Sequence, residues 1–277
     1  MPGQTLTPFT DGDILFLMEA ARLREIGRKE NLRRDESWIE RTIREKTDDL
    51  IERLFSLREE QLLIRISPRL LFQILLANAA RILGREQYLL ERIGRQVIPV
   101  FDTKNVADFL TREGIIPYLA EMLASFGRIE TFTMAFREKR GIWRKMRFNT
   151  MDIDGLIGFS SIIEEEARFP FYKRIADICL FTVGMFPEYV ATRYRYPSSG
   201  ELRPSSGGQR PRAPEEYDAD RARYFGLAAG HDVARRLGLD TVLNDLAGNF
   251  RLAKKPLNFI AGNYLRFKKQ LFPYLDG

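Results

Sequence analysis

From Ser67 to Leu83 the chain reads Ser-Pro-Arg-Leu-Leu-Phe-Gln-Ile-Leu-Leu-Ala-Asn-Ala-Ala-Arg-Ile-Leu, apolar on almost every side of a helix. Ser offers an oxygen to the first-turn amides and Pro suits the first helical position, so the start is well marked. A helix without a polar face cannot lie on a surface; it has to be enclosed by other elements. A second segment of this kind, Tyr172 to Met185, follows the break at Phe169-Pro170 and closes at Gly184 and Pro187. Two enclosed helices therefore dominate any fold open to this chain.

The flanking segments supply a coat. Thr10 or Asp11 can cap a helix over Asp13 to Arg28. From Asp35 onward Trp38, Ile39, Ile43, Leu50, Ile51, Leu54 and Phe55 recur at helical spacing. Further helices are predicted near Lys104–Thr111, Ile115–Phe126, Asp152–Arg168, Glu216–Leu237, Thr241–Phe250 behind an Asp240 cap, and Leu257–Leu271 behind Pro256. The period changes twice to that of strands. Gln87–Glu91 and Gln96–Phe101 flank a short turn, and Thr131–Phe136 and Ile142–Phe148 alternate around a charged one. The expected class is mainly α with two short β-hairpins, an α-rich α+β fold in which a multi-helix bundle surrounds a small antiparallel sheet. Residues 1–196 read as one helical domain with hairpins near 87–101 and 131–148. Residues 197–216, rich in Pro, Ser and Gly, read as a disordered insert, and residues 217–277 as helices that pack back on the first part.

Two residue types narrow the chemistry. Cys179 is the only cysteine among 277 residues and His231 the only histidine. No internal disulfide, thiolate zinc cluster or histidine pair can form, so no metal, cofactor or catalytic residue is assigned. Met1 to Asp13 lacks a basic stretch leading into an apolar run, and Ile175 to Phe186 is interrupted by Asp177 and too short to span a bilayer. A cytoplasmic location without membrane association is expected.

A carboxylate in as apolar a helix as Ile-Ala-Asp177-Ile-Cys-Leu-Phe must be paired, hydrogen-bonded or protonated. Lys173 and Arg174, one turn back, are local partners. The helix Glu216–Leu237 offers others: Tyr224, Leu227, Ala228, His231 and Ala234 form a stripe, with Ala222, Gly226, Ala229 and Gly230 small enough for close contact. Asp177, Tyr224 and His231 form a candidate buried polar network. In one reading Asp177 orients His231 as a general base of an enzyme; in the other the network is structural and fixes helix register. The run Asp177-Ile-Cys-Leu180-Phe181-Thr-Val-Gly184-Met-Phe186-Pro187 resembles a D-x-x-L-F-x-x-G-x-F-P pattern of uncharacterised bacterial cytoplasmic helical proteins. The resemblance covers the C-terminal third and implies a bacterial cytoplasmic protein. It brings no activity or cofactor with it.

Charge is unevenly spread. The net charge is +6, and 34 of the 44 basic residues are Arg. Residues 131–150 carry Arg137, Lys139, Arg140, Arg144, Lys145 and Arg147 against Glu138, a net +5. Residues 251–269 carry Arg251, Lys254, Lys255, Arg266, Lys268 and Lys269 without an acid, a net +6, so the remainder is acidic at −5. Trp143 adds a stacking surface to the first segment. Arg and Lys beside an aromatic ring suit phosphates and unstacked bases, while the same charges on a hairpin tip serve solvation.

Three function classes follow. The first is a non-enzymatic interaction or scaffold protein that binds a protein partner or itself. The second is a nucleic-acid-associated regulator, using Arg137, Lys139, Arg140, Trp143, Arg144, Lys145, Arg147, Lys254, Lys255, Arg266, Lys268 and Lys269. The third is an enzyme built on Asp177 and His231. If the second holds, DNA or RNA affinity falls steeply between about 50 and 200 mM salt and the pair Arg144→Glu with Arg147→Glu abolishes it. Absence of binding in a gel-shift titration at about 50 mM salt excludes it.

Overall fold

Asp13 shows how local sequence and long-range packing meet in this chain. Its backbone amide donates to Thr10 Oγ1 at 3.1 Å, and its Oδ2 accepts from the Thr10 amide at 2.7 Å, a reciprocal capping box at the start of α1 (Asp11–Ala20). The other oxygen, Oδ1, accepts from the amide of Ser67 at 2.6 Å. Ser67 itself caps α5 (Pro68–Leu83), its hydroxyl oxygen accepting from the Leu70 amide at 3.2 Å. One carboxylate with no exposed surface thus ties the first turns of two helices that lie far apart in sequence. Gly12 allows the approach, since a Cβ there would stand 2.4 Å from the carbonyl oxygen of Arg65.

The computed structural model describes residues 7–22, 29–57, 64–86, 88–93, 96–100, 102–127, 131–139, 142–187 and 214–264. Between α1 and α5 run α2 (Lys29–Arg34), α3 (Glu36–Glu45) and α4 (Thr47–Ser56). After α5 come α6 (Thr103–Leu110) and α7 (Ile115–Ser125), then α8 (Ile153–Ile162), a 3-10 turn at Glu165–Ala167, and α9 (Phe169–Met185). The C-terminal part holds α10 (Pro214–Ala229), α11 (Asp232–Arg236), α12 (Asp240–Gly248) and α13 (Phe250–Asn263). Strands β1 (Leu89–Ile93) and β2 (Gln96–Val100) form one two-stranded ribbon; β3 (Thr131–Lys139) and β4 (Ile142–Asn149) form another.

The expected α-rich α+β class is corrected by this arrangement. The packed framework is helical, built helix against helix, and no sheet stands at its centre. The two ribbons do not join, so the small antiparallel sheet around which helices were to bundle is not formed among the described residues. The reason lies in α5 and α9. Each is apolar on nearly every side, and amphipathic helices can enclose such a cylinder.

The chain divides into two compact units. The first comprises Met1–Arg92, Val97–Gly127 and Lys255–Gly277; the second comprises Ile93–Gln96 and Arg128–Lys254. In the first, α5 buries Leu70, Leu71, Phe72, Ile74, Leu75, Leu76, Ala79 and Leu83 against α4, α6 and α7. In the second, α9 buries Phe171, Ile175, Ile178, Cys179, Leu180 and Phe181 among α8 and α10, and α12 packs on α10.

Several helix limits differ from the sequence reading. The run from Asp35 to Phe55 is two helices that meet at Lys46, where Thr47 turns its hydroxyl back to the Ile43 carbonyl at 2.7 Å. Phe169-Pro170 opens α9 rather than preceding it, because Pro lies in the first turn where no intrahelical amide is needed. Asp240 is the first residue of α12, with Leu239 at the cap. Pro256 sits inside α13 instead of ahead of it. The insert expected at 197–216 lies outside the described residues as far as 213, and α10 begins at Pro214.

Asp13→Ala removes an acceptor shared by two backbone amides, those of Thr10 and Ser67. A loss of about 2–4 kcal/mol is expected in urea unfolding. Gly12→Ala should destabilise as well, through the clash with the Arg65 carbonyl, and a Gly12→Ala chain as stable as wild type would contradict the packing described.

Candidate functional site

A cleft of about 360 Å³ opens in the first unit, among α3, α5 and the turn between α6 and α7. Helical spacing brings its walls together. Gln73, Ala77, Ala80 and Arg81 share one face of α5; Glu40, Ile43 and Arg44 face it from α3, with Thr47 at the start of α4. The third wall is the turn Leu110–Gly114 with Ile116 and Pro117 of α7. Gly114 has φ of +76°, a conformation that a side chain would strain, and it allows α7 to start directly after α6.

Two polar atoms in these walls are buried without a hydrogen-bond partner. One is Oε1 of Gln73, whose residue is 2 % exposed; the other is Nε of Arg81. The remaining Arg81 nitrogens are used: Nη1 donates to Asp48 Oδ2 at 2.9 Å and Nη2 to Asn78 Oδ1 at 3.1 Å. Ile43, Ala77, Ala80, Leu110, Ile116 and Pro117 give the cleft an apolar body, and its volume falls within the range of about 300–1,000 Å³ usual for small-molecule sites.

Glu40 supplies the electrostatic signature. Partial burial holds its carboxyl above the usual range, and the charges of Glu36 and Glu113 push it the same way; Arg44 and Arg69 oppose them. Glu36 is drawn from the cleft by Arg69, whose Nη2 donates to its Oε1 at 3.1 Å. Glu40 thus places a carboxylate held toward its protonated form in the wall of the cleft.

The residues singled out by sequence lie elsewhere. Asp177 is buried in α9 and accepts from Lys173 Nζ at 2.7 Å, one turn back. Arg174, beside it, donates through Nε to the Thr150 carbonyl at 2.9 Å. His231 breaks the expected helix Glu216–Leu237 and caps α11: Nδ1 accepts from the Val233 amide at 3.1 Å, and Nε2 is 2.9 Å from the Glu165 carbonyl. A carbonyl only accepts, so Nε2 carries the proton and Nδ1 the lone pair, both committed to backbone. Tyr224 is buried with its ring 5.8 Å from that of Tyr172. Tyr224, Phe225, Ala228 and Ala229 of α10 are buried; of the small residues read as a contact stripe, Ala229 is among them, while Ala222, Gly226 and Gly230 are exposed.

Of the cationic set, Lys255 turns inward. It is 1 % exposed, and its Nζ donates to both oxygens of Asp102, which removes it from any polyanion-binding surface. Lys254 is half-buried. Arg137, Lys139, Trp143, Arg144, Lys145 and Arg147 lie on β3 and β4, whose backbone register opposes Arg137 to Trp143, Ala135 to Lys145 and Thr133 to Arg147. Arg140, Arg266, Lys268 and Lys269 lie outside the described residues. Among the described residues no group of His, Cys, Asp and Glu could hold a metal ion, and no helix is long and apolar enough to cross a membrane.

Gln73 and Glu40 escape a reading by motif, since neither belongs to one. The rule that marks Asp177, a polar side chain within an enclosed apolar helix, marks Gln73 equally. No family model, curated protein or solved structure matches the chain.

Glu40→Gln removes a carboxylate whose pKa is raised on folding. The native state binds that proton more tightly than the unfolded state, so ionised Glu40 lowers stability above its folded pKa and costs nothing below the unfolded one. Thermal unfolding should therefore show a higher Tm for Glu40→Gln at pH 7, with the difference closing as pH falls below the ordinary carboxylate range. A difference independent of pH would contradict this account.

Proposed function

We propose that the chain is a non-enzymatic binding protein, and that the cleft of the first unit is where it binds a small, largely apolar ligand. The observation that carries this reading is the cleft itself, about 360 Å³ in volume, in which Ile43, Ala77, Ala80, Leu110, Ile116 and Pro117 form an apolar body among charged and polar side chains. A cleft of this volume with an apolar body and a few polar groups is the usual form of a small-molecule site. Support for the non-enzymatic side comes from His231, whose two nitrogens serve backbone groups and leave no lone pair for proton abstraction. Asp177, held by Lys173, is accounted for as the buried half of an ion pair. A cytoplasmic bacterial protein remains the setting this reading assumes.

The neutral fluorescent probe N-phenyl-1-naphthylamine tests it. Saturable fluorescence enhancement with one site per chain is expected. Ala77→Trp, which fills the cleft from α5, should weaken binding at least about tenfold while circular dichroism stays unchanged, because well-packed pockets tolerate little added volume. Enhancement that fails to saturate, or that persists in Ala77→Trp, would rule the cleft out as the site.

A further inference from the structure

The backbone register of the β3–β4 ribbon, in the second unit, sorts residues that the sequence offers as a single cationic run. Thr133 pairs with Arg147, Ala135 with Lys145 and Arg137 with Trp143, so these residues share one face. Phe132 pairs with Phe148, Met134 with Met146 and Phe136 with Arg144 on the other. The register shifts between Arg137 and Lys139, and beyond the shift Lys139 pairs with Ile142, on the face of Arg144. Glu138, the only acid of residues 131–150, falls at that irregularity and has no partner in the register.

We infer that the face of Arg137, Trp143, Lys145 and Arg147 binds single-stranded nucleic acid, the three cations taking backbone phosphates and Trp143 stacking on a base. Charge complementarity selects a polyanion. The face holds three cations and no carboxylate, and the one acid nearby stands at the bulge. Spacing suits a chain of phosphates rather than a single one: Lys145 and Arg147 are two strand residues, about 6–7 Å, apart, and Arg137 lies on the facing strand. Trp143 selects the single strand, because a base in a duplex is already stacked on its neighbours and cannot offer its ring face to an indole. The apolar residues of the other face have a different use. Antiparallel ribbons packed on one side bury their apolar face there and leave the polar one to water, and β4 contacts α8.

Face-specific variants of the full chain test the assignment by fluorescence anisotropy of a fluorescein-labelled oligothymidylate about 15 nucleotides long. Lys145→Glu with Arg147→Glu changes the charge by the same amount as Lys139→Glu with Arg144→Glu, but on the opposite face. The first pair should weaken binding at least about tenfold at about 50 mM salt, and the second by less than about threefold. Three phosphate contacts on a single strand give log affinity a slope of about −2 against log salt, and the first pair should bring it to about −0.7. Trp38→Phe leaves Trp143 as the only tryptophan. In that chain, whose ribbon is unaltered, the oligothymidylate should quench the remaining fluorescence saturably, and a duplex of equal length should bind more weakly without quenching. Equal losses from the two pairs, tighter binding of the duplex, or binding that leaves Trp143 unquenched overturns the assignment. So does the absence of any binding at about 50 mM salt, or binding of phosphatidylglycerol vesicles in preference to the oligothymidylate, which would make the ribbon a membrane-surface element instead.

Discussion

A guanidinium almost sealed from water organises the first unit. Arg69 is 2 % exposed and stands at the first turn of α5. Its Nη1 donates to the Thr7 carbonyl, its Nη2 to Glu36 on α3, and its Nε lies 3.5 Å from Glu121 Oε2 on α7, while its plane covers the Phe9 ring at 4.1 Å. Burying such a charge is tolerable only when its donors find partners, and removing one partner of a buried pair costs about 3–5 kcal/mol. The N-terminal segment, α3 and α7 are thus held to α5 by one side chain that cannot release any of them cheaply. The same charge opposes the protonation of Glu40, so the scaffold's anchor also helps set the electrostatics of the cleft.

The second unit solves the same problem with shorter reach. In α9 the buried carboxylate of Asp177 meets Lys173 one turn earlier, within the helix itself, and Arg174 satisfies a carbonyl at the end of β4's following turn. The contrast is physical. An ion pair at i, i+4 forms as soon as its helix does, whereas Arg69 and the Lys255–Asp102 pair require segments distant in sequence to have docked. The two units thus hold these buried charges differently, one through partners distant in sequence and the other within a single helix.

That difference explains what was legible in the sequence. Thr10, Asp35 and Ser67-Pro68 were readable as helix starts because a cap needs only three or four neighbouring residues. The enclosure of α5 and α9 followed from their lack of a polar face. The break at Lys46 was not readable, because the apolar spacing runs through it undisturbed, and neither was the cap made by His231, a residue rarely read as one. Lys255 looked like part of a cationic segment because its partner Asp102 is remote in sequence. The cleft was hidden for the same reason: Glu40, Gln73 and Glu113 are dispersed along the chain and share no motif, and only Gln73's polarity within an apolar helix distinguished it.

Pro256 has one more implication. Within α13 it lacks the amide that would bond the Leu252 carbonyl, a defect of about 3 kcal/mol in a helix interior. The residues around it, Lys255, Leu257 and Ile260, are all buried. Excised as a peptide, this segment would be coil, since its own propensity argues against the conformation it adopts. Its helicity is borrowed from its neighbours, a shape imposed by the surface it packs on rather than one its own residues prefer.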